Sequence, residues 1–258
     1  MKKLVTTVLL GTIALTSTAN AQWGTVKGKF TFDGTAPAQS AIKVTKDVQF
    51  CGKQDLKEEE LVVNSENGGI ANVVIYLYEK RGAKPPKVHP DYKASDNDKV
   101  TLDNKGCRFE PHITLLRTSQ TLVIGNVDAV PHNASLTLLK NQPQNNIIPA
   151  NNSIDVSLPK AETLPALVRC DVHPWMSGRL VVKDHPYMAV TDADGNFEIA
   201  NMPTGKHTLQ LWHEKAGYID EAKVGGKTTS IKRGRLDITV KDGENDLGEF
   251  KLGSKVFK

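Results

Sequence analysis

The sequence predicts an all-β protein made of two β-sandwiches, and three observations carry that prediction. Short runs rich in β-branched and other apolar residues recur along the chain, separated by Gly, Pro, Asn and Asp. No long stretch keeps a 3.6-residue apolar period with caps at both ends. The segment "TDADGNFEI", residues 191–199, reads as strand, tight Asp-Gly turn, strand. Many short strands at close spacing are the pattern of sandwiches, not of a parallel sheet wound with helices.

Taken in order, the chain opens "MKKLVTTVLLGTIALTSTANAQWG". Lys2 and Lys3 form a positive n-region, Leu4 to Leu15 a short apolar h-region, and Ala19-Asn20-Ala21 a small-x-small cleavage site. The pattern predicts an exported bacterial protein, periplasmic or secreted, with signal peptide 1–21 cut after Ala21. That apolar run is too short to span a bilayer. No second run is long enough, so no integral membrane segment is expected in the mature chain.

Strand signals follow at "TVKGKFTF", "NVVIYLY", "ITLL", "QTLVIGN", "NASLTLL", "SIDVSL", "ALVRC" and "RLVV". Short helices are expected around "DLKEEEL" (55–61) and "LPKAETLP" (158–165). A boundary falls near Lys183 to Tyr187, and a new pattern begins: "MAVTD", "NFEIA", "HTLQLWH", "SIKRGRLDITV", "LGEFKL". The expected division is a first domain over 22–183, carrying an N-terminal extension, and a second, smaller sandwich over 184–258. Residues 22–105 are not placed by their pattern; "GTVKGKFTFDGTAP" suits either sandwich. "DADGN" looks like a calcium loop at first sight, but Gly195 stands before Asn196, which is the wrong spacing.

Charge and motifs exclude several classes. The formal net charge is +4 and falls by two once Lys2 and Lys3 are removed. Basic residues are not clustered with aromatics, so no nucleic-acid partner is expected. There is no Gly-x-Ser-x-Gly elbow, and no carboxylate pair with a role. The chain reads as a binding protein, not an enzyme.

One stretch carries chemistry. "CDVHPWM", Cys170 to Met176, places a thiol, an imidazole and a thioether within seven residues. Its companions Cys51 and Cys107 make three cysteines, and in an oxidising compartment an odd count leaves one thiol unpaired. The plain alternative is a disulfide from Cys170 to Cys51 or Cys107. A trigonal His₂Cys set with a weak axial Met is the blue-copper arrangement. Cys170 ends a strand, His173 sits on a turn with Pro174, and Met176 opens the next strand. The second imidazole must come from another loop, and His132 in "GNVDAVPHNASL" is the best candidate, with Pro131 stiffening its approach. Zinc suits this set poorly, because it has no preference for a thioether. A multicopper enzyme would need His-x-His pairs, which the seven histidines do not form. His112 opens an apolar strand and reads as structural. His213 in "LWHEK" reads as packing beside a surface ion pair; facing the metal end is the alternative. His89, His185 and His207 carry no pattern.

With those residues in view, "FEPHITLLRTSQTLVIGNVDAVPHNASL" followed by "CDVHPWMSGRLVV" resembles the cupredoxins over about Cys107 to Lys183. The Cys-x-x-His-Pro-aromatic-Met loop is most similar to the amicyanin type, with Trp175 in place of another aromatic. The resemblance implies a Greek-key β-sandwich and one mononuclear type 1 copper held by His132, Cys170, His173 and Met176. It implies that the Asn133 N–H points at the thiolate while its side chain ties the two loops. It implies one-electron carriage between redox partner proteins, with Pro174 and Trp175 as docking patch and the His173 imidazole edge as electron port. Once the resemblance assigns Cys170 to the metal, a Cys51–Cys107 disulfide is the pairing expected. Two other readings stay open: a copper-binding or delivery protein holding Cu(I), and a structural surface module with a vestigial site. The long segment before Cys107 departs from a minimal cupredoxin. The tail "VTDADGNFEIANMPTGKHTLQLWHE" resembles the transthyretin-like, carboxypeptidase-regulatory sandwich, which implies a fold and little chemistry.

Overall fold

Strand pairing sorts the chain into two β-sandwiches. The computed structural model describes residues 23–80 and 82–257; the expected signal peptide lies outside them. In the first sandwich, one sheet runs in the order Ile113–Arg117, Ser177–Lys183, Ala166–Arg169, His132–Thr137, Gln144–Ile148. The facing sheet runs Arg108–Glu110, Lys99–Lys105, Thr121–Asn126, Asn152–Ser157. Leu102, Leu122, Ile124 and Val156 of the second sheet share one core with Leu116, Leu136, Ile148, Val168, Leu180 and Val182 of the first. Alternation puts these side chains inward from both sheets, as sandwich packing requires.

The second sandwich is not confined to the tail. Its one sheet runs Asn196–Pro203, Trp23–Asp33, Gly243–Gly253, Glu221–Val224, Lys227–Ser230. In the other, Val74–Leu77 lies between Met188–Val190 and Gly205–His213. Phe30 stacks on Phe250 at 5.0 Å between ring centroids. The expected division at 183/184 is therefore corrected for 23–33 and 74–77, which are strands of the sandwich assigned to 184–258. That sandwich is consequently not the smaller one. The physical reason is that Gly243–Gly253 and Asn196–Pro203 each offer an edge to Trp23–Asp33, parallel on one side and antiparallel on the other.

Neither expected short helix forms. Residues 56–58 pair instead with 40–42: Ile42 N–H donates to Leu56 O, and Glu58 N–H to Ser40 O. In 158–165 the Glu162 carboxylate is buried and takes the N–H groups of Leu139, Lys140 and Asn141, so it organises a loop. The helices that do form are short, among them the four-residue Val48–Cys51.

The two sandwiches meet across a small buried cluster of Val74, Tyr76 and Trp212 against Ile113 and Val181. Beside it His112 Nε2 lies 2.6 Å from Glu214 Oε2, and Arg179 lies 2.9 Å from Glu214 Oε1. Burial pushes the Glu214 carboxyl up, but His112 and Arg179 hold it below its usual value. His213 next to it is buried and accepts the Lys215 N–H at Nδ1. It packs edge-on against Phe257 within the second sandwich.

This packing predicts acid lability. Burial drives His213 and His185 down to about 4, from an ordinary 6.5. Between those values the unfolded chain takes up protons that the folded chain refuses, so stability falls as pH drops from 6.5 toward 4. The expected slope is up to about 1.4 kcal/mol per pH unit for each histidine. Urea denaturation from pH 7 to 4.5 measures it. His213→Asn keeps an acceptor for the Lys215 N–H and should flatten the slope; an unchanged slope would refute the assignment to His213.

Candidate metal centre

The site begins with backbone. Strand Ala166–Arg169 pairs with Ser177–Lys183, Arg169 opposite Ser177, so residues 170–176 form the connection. Met176 N–H donates to His173 O at 2.9 Å, and Cys170 N–H to Met176 O at 3.1 Å, closing that loop tightly. On its other side Ala166–Arg169 pairs with His132–Thr137, Arg169 opposite Ser135. That register brings His132 and Asn133 alongside Cys170.

Cys170 Sγ and one ring nitrogen each of His132 and His173 lie within 4.8 Å of one another, and all three residues are buried. His173 Nδ1 is 3.8 Å from Sγ. Each imidazole has a carboxylate behind it. His132 Nε2 lies 2.9 Å from Asp128 Oδ2, and His173 Nε2 lies 2.8 Å from Asp47 Oδ2. A carboxylate only accepts, so each Nε2 carries the proton and donates it, assigned from these partners. Both Nδ1 atoms then keep a lone pair. His132 Nδ1 is buried without a hydrogen-bond partner.

The sulfur sits among polar groups, with Sγ 3.3 Å from Asn133 Oδ1. The Asn133 and His173 N–H groups approach Sγ at 3.5 and 3.4 Å. Burial pushes the Cys170 thiol up, but His132 and the N–H groups of Asn133, His173 and Val172 bring it below its ordinary value. Burial works to lower His132, and Asp128 and Cys170 outweigh it, so that imidazole is raised. His173 is lowered, by burial first and by His132. Asn133 also accepts the Asp171 and Val172 N–H groups at Oδ1, 2.7 and 3.2 Å, and its Nδ2 donates to Asn145. Asp128 takes the N–H groups of Gly106 and Cys107; burial pushes it up, but His132 first, and then these two groups, hold it below its usual value.

Met176 is buried in the same core cluster as Cys170. Pro174 is exposed, and Trp175 is half-buried with its ring 5.2 Å from that of His173. The expected electron port is corrected. The His173 side chain has no solvent exposure, because Asp47, from the segment before Cys107, covers its outer edge. Cys51 and Cys107 are joined by a disulfide, Cα–Cα 5.6 Å, and Cys170 is the free cysteine. His112 lies at the sandwich interface and His213 packs within the second sandwich, and neither is among the residues grouped around Cys170.

Two carboxylates that contact the imidazoles lie outside the sequence expectations. Asp128 stands four residues before His132 in the same loop, and that spacing was a usable signal. Asp47 is 126 residues from His173, with no local signal at all. A second cluster, Glu79, Asp184 and His185, is chemically different. His185 Nδ1 accepts the Tyr187 N–H at 3.2 Å, so its Nε2 keeps a proton and offers no lone pair.

No protein-family model and no curated protein matches the chain. Among solved structures it is similar to a Cu-containing nitrite reductase from Thermus scotoductus SA-01, at 19% identity over 41% of this chain, TM-score 0.30. The chain spans 25% of the length of that reductase. It is similar to a purple cupredoxin from Nitrosopumilus maritimus, at 16% identity over 34% of this chain and 100% of that one, TM-score 0.28. It is also similar to amicyanin from Paracoccus versutus, at 15% identity over 42% of this chain and 97% of that one, TM-score 0.30.

Proposed function

We propose that this chain is an exported type 1 copper protein that carries single electrons between redox partner proteins. The observation that carries the reading is the orphaned, buried His132 Nδ1 beside Cys170 Sγ and His173 Nδ1. Bonds of about 2.0–2.3 Å from one ion to nitrogen and sulfur keep such atoms within about 4.6 Å of each other. The 3.8 Å from His173 Nδ1 to Sγ is well inside that limit. A thiolate with two neutral imidazoles and a nearby thioether suits copper better than zinc. When bound, copper supplies a one-electron couple between Cu(I) and Cu(II).

The chain's own residues supply the rest. Asp128 and Asp47 fix the imidazoles with Nδ1 turned inward. The Asn133 and His173 N–H groups stabilise negative charge on sulfur. Burial keeps water away. Trp175, half-buried and next to His173, gives the centre an aromatic side chain at the surface beside exposed Pro174, and this is the docking patch of the reading. The second sandwich, transthyretin-like by its sequence pattern, anchors the segment that covers the centre. A leader removed in the periplasm completes the proposal.

A second reading has one observation in its favour: His173 has no exposed edge, which suits a protein that holds Cu(I) without exchanging electrons. Protein-film voltammetry after Cu(II) loading separates the two. A carrier gives a reversible wild-type wave. Met176→Leu should then stay blue with a raised potential, because a weak axial donor that favours Cu(II) is lost. His132→Ala should weaken copper binding by at least the roughly 10–100-fold that loss of an outer partner costs. An irreversible wild-type wave, with Met176→Leu losing Cu(I) and showing no blue form, would favour the storage reading.

A further inference from the structure

The segment before Cys107 carries a device of its own. Residues 41–57 leave the second sandwich and lie on the first: Cys51 and Leu56 are buried in its core, and Ile42, Val44 and Phe50 pack against it. Asp47 begins the short helix Val48–Cys51, with its backbone in the left-handed region at φ 45. Its carbonyl accepts the Phe50 and Cys51 N–H groups, at 2.9 and 2.8 Å. Its carboxylate reaches His173 Nε2. The Asp47 side chain is 38% exposed and the His173 side chain 0%, so the carboxylate stands between imidazole and solvent.

A helix of four residues has no stability of its own. The disulfide from Cys51 to Cys107 fastens it, and Cys107 is a hub. Its N–H goes to Asp128, the partner of His132, and its carbonyl accepts Trp175 Nε1–H at 3.3 Å. One covalent clamp therefore reaches both imidazoles, to His132 through Asp128 and to His173 through Asp47.

We propose that Asp47–Cys51 is a disulfide-clamped cap, and that Asp47 is a positioning residue that turns His173 and closes its outer edge to small molecules. As a statement about copper this rests on the reading above; as a statement about His173 it does not. A chain built this way excludes outside ligands on the His173 side and exchanges electrons through the protein surface around Trp175. Loss of the Asp47 carboxylate, or of the clamp, opens that side.

The test has two arms on the full mature chain. In the first, metal-free protein is treated with diethyl pyrocarbonate, and modification of His173 is followed by mass spectrometry against the partly exposed His89. Wild-type His173 should react about tenfold more slowly than in Asp47→Ala, which corresponds to a cap closed by about 1.4 kcal/mol. The Cys51→Ser/Cys107→Ser double variant should also react faster. Asp47→Asn tolerates the left-handed backbone and keeps an acceptor oxygen, so it should restore protection. In the second arm, Cu(II)-loaded protein is titrated with azide and followed by electron paramagnetic resonance. The wild-type spectrum should not change, and Asp47→Ala should show azide binding and about tenfold weaker copper binding. Wild-type His173 reacting as fast as His89, or Asp47→Ala matching wild type in the first arm, overturns the cap whatever the variants' stability. Protection in the first arm without a thiolate–copper band in the second keeps the cap and removes the copper reading.

Discussion

Cys170→Ser should abolish the intense thiolate-to-copper absorption and leave the fold intact. Cys170 is buried at the end of a strand, and its sulfur is approached by two backbone N–H groups. A serine hydroxyl accepts those same N–H groups and fills slightly less space, so the loop keeps its partners. It cannot serve as a soft, covalent ligand, because the hydroxyl remains protonated and oxygen is a hard donor. In the copper protein proposed above, the colour therefore depends on one atom. Visible absorption and electron paramagnetic resonance after Cu(II) addition measure the effect, with far-ultraviolet circular dichroism as the control for folding. A blue or green form that survives in Cys170→Ser would show that another group holds the metal.

Removing the disulfide should give the largest loss of stability. Cys51 and Cys107 are 56 residues apart, and in the chain-entropy model closing a loop of that length stabilises the folded state by about 4 kcal/mol. Both sulfurs are buried in the first sandwich's core, so the two serines also leave polar groups there. Urea denaturation of Cys51→Ser/Cys107→Ser at pH 7 should show the first sandwich losing at least that much. A change below about 1 kcal/mol would mean that core packing alone holds residues 41–57 in place. Mild reduction of the wild type should reproduce the loss, since Cys170 forms no bridge.

How much of this was legible depended on how local each signal is. The strands at 113–117, 121–126, 166–169 and 177–183 were readable, because buried strands are apolar runs punctuated by turn residues. Gln144–Ile148 was not, because it is an edge strand whose polar Asn145 and Asn146 read as loop. "SIKRGRLDITV" reads as one strand, but only Arg235–Val240 of it is: Ser230 ends the strand Lys227–Ser230, and Arg233 adopts φ 57 in the short turn between the two. The Cys170–Met176 loop was readable because its three chemical groups are neighbours in the chain. Asp47, the group that covers His173, shares no local pattern with it.

By itself, then, the sequence determined the all-β class, most strands, and the juxtaposition of thiol, imidazole and thioether in one tight loop. These follow from side-chain alternation, turn chemistry and short spacing, which act within about ten residues. Only the tertiary structure decided that 23–33 and 74–77 join the second sandwich, that 41–57 crosses to the first, and that His173 is sealed rather than open. Each of those outcomes is a choice between competing sheet edges or covering segments far apart in the chain. Such choices are made by which arrangement buries the most apolar surface and satisfies the most backbone groups at once, a sum over the whole fold that no single stretch of sequence contains.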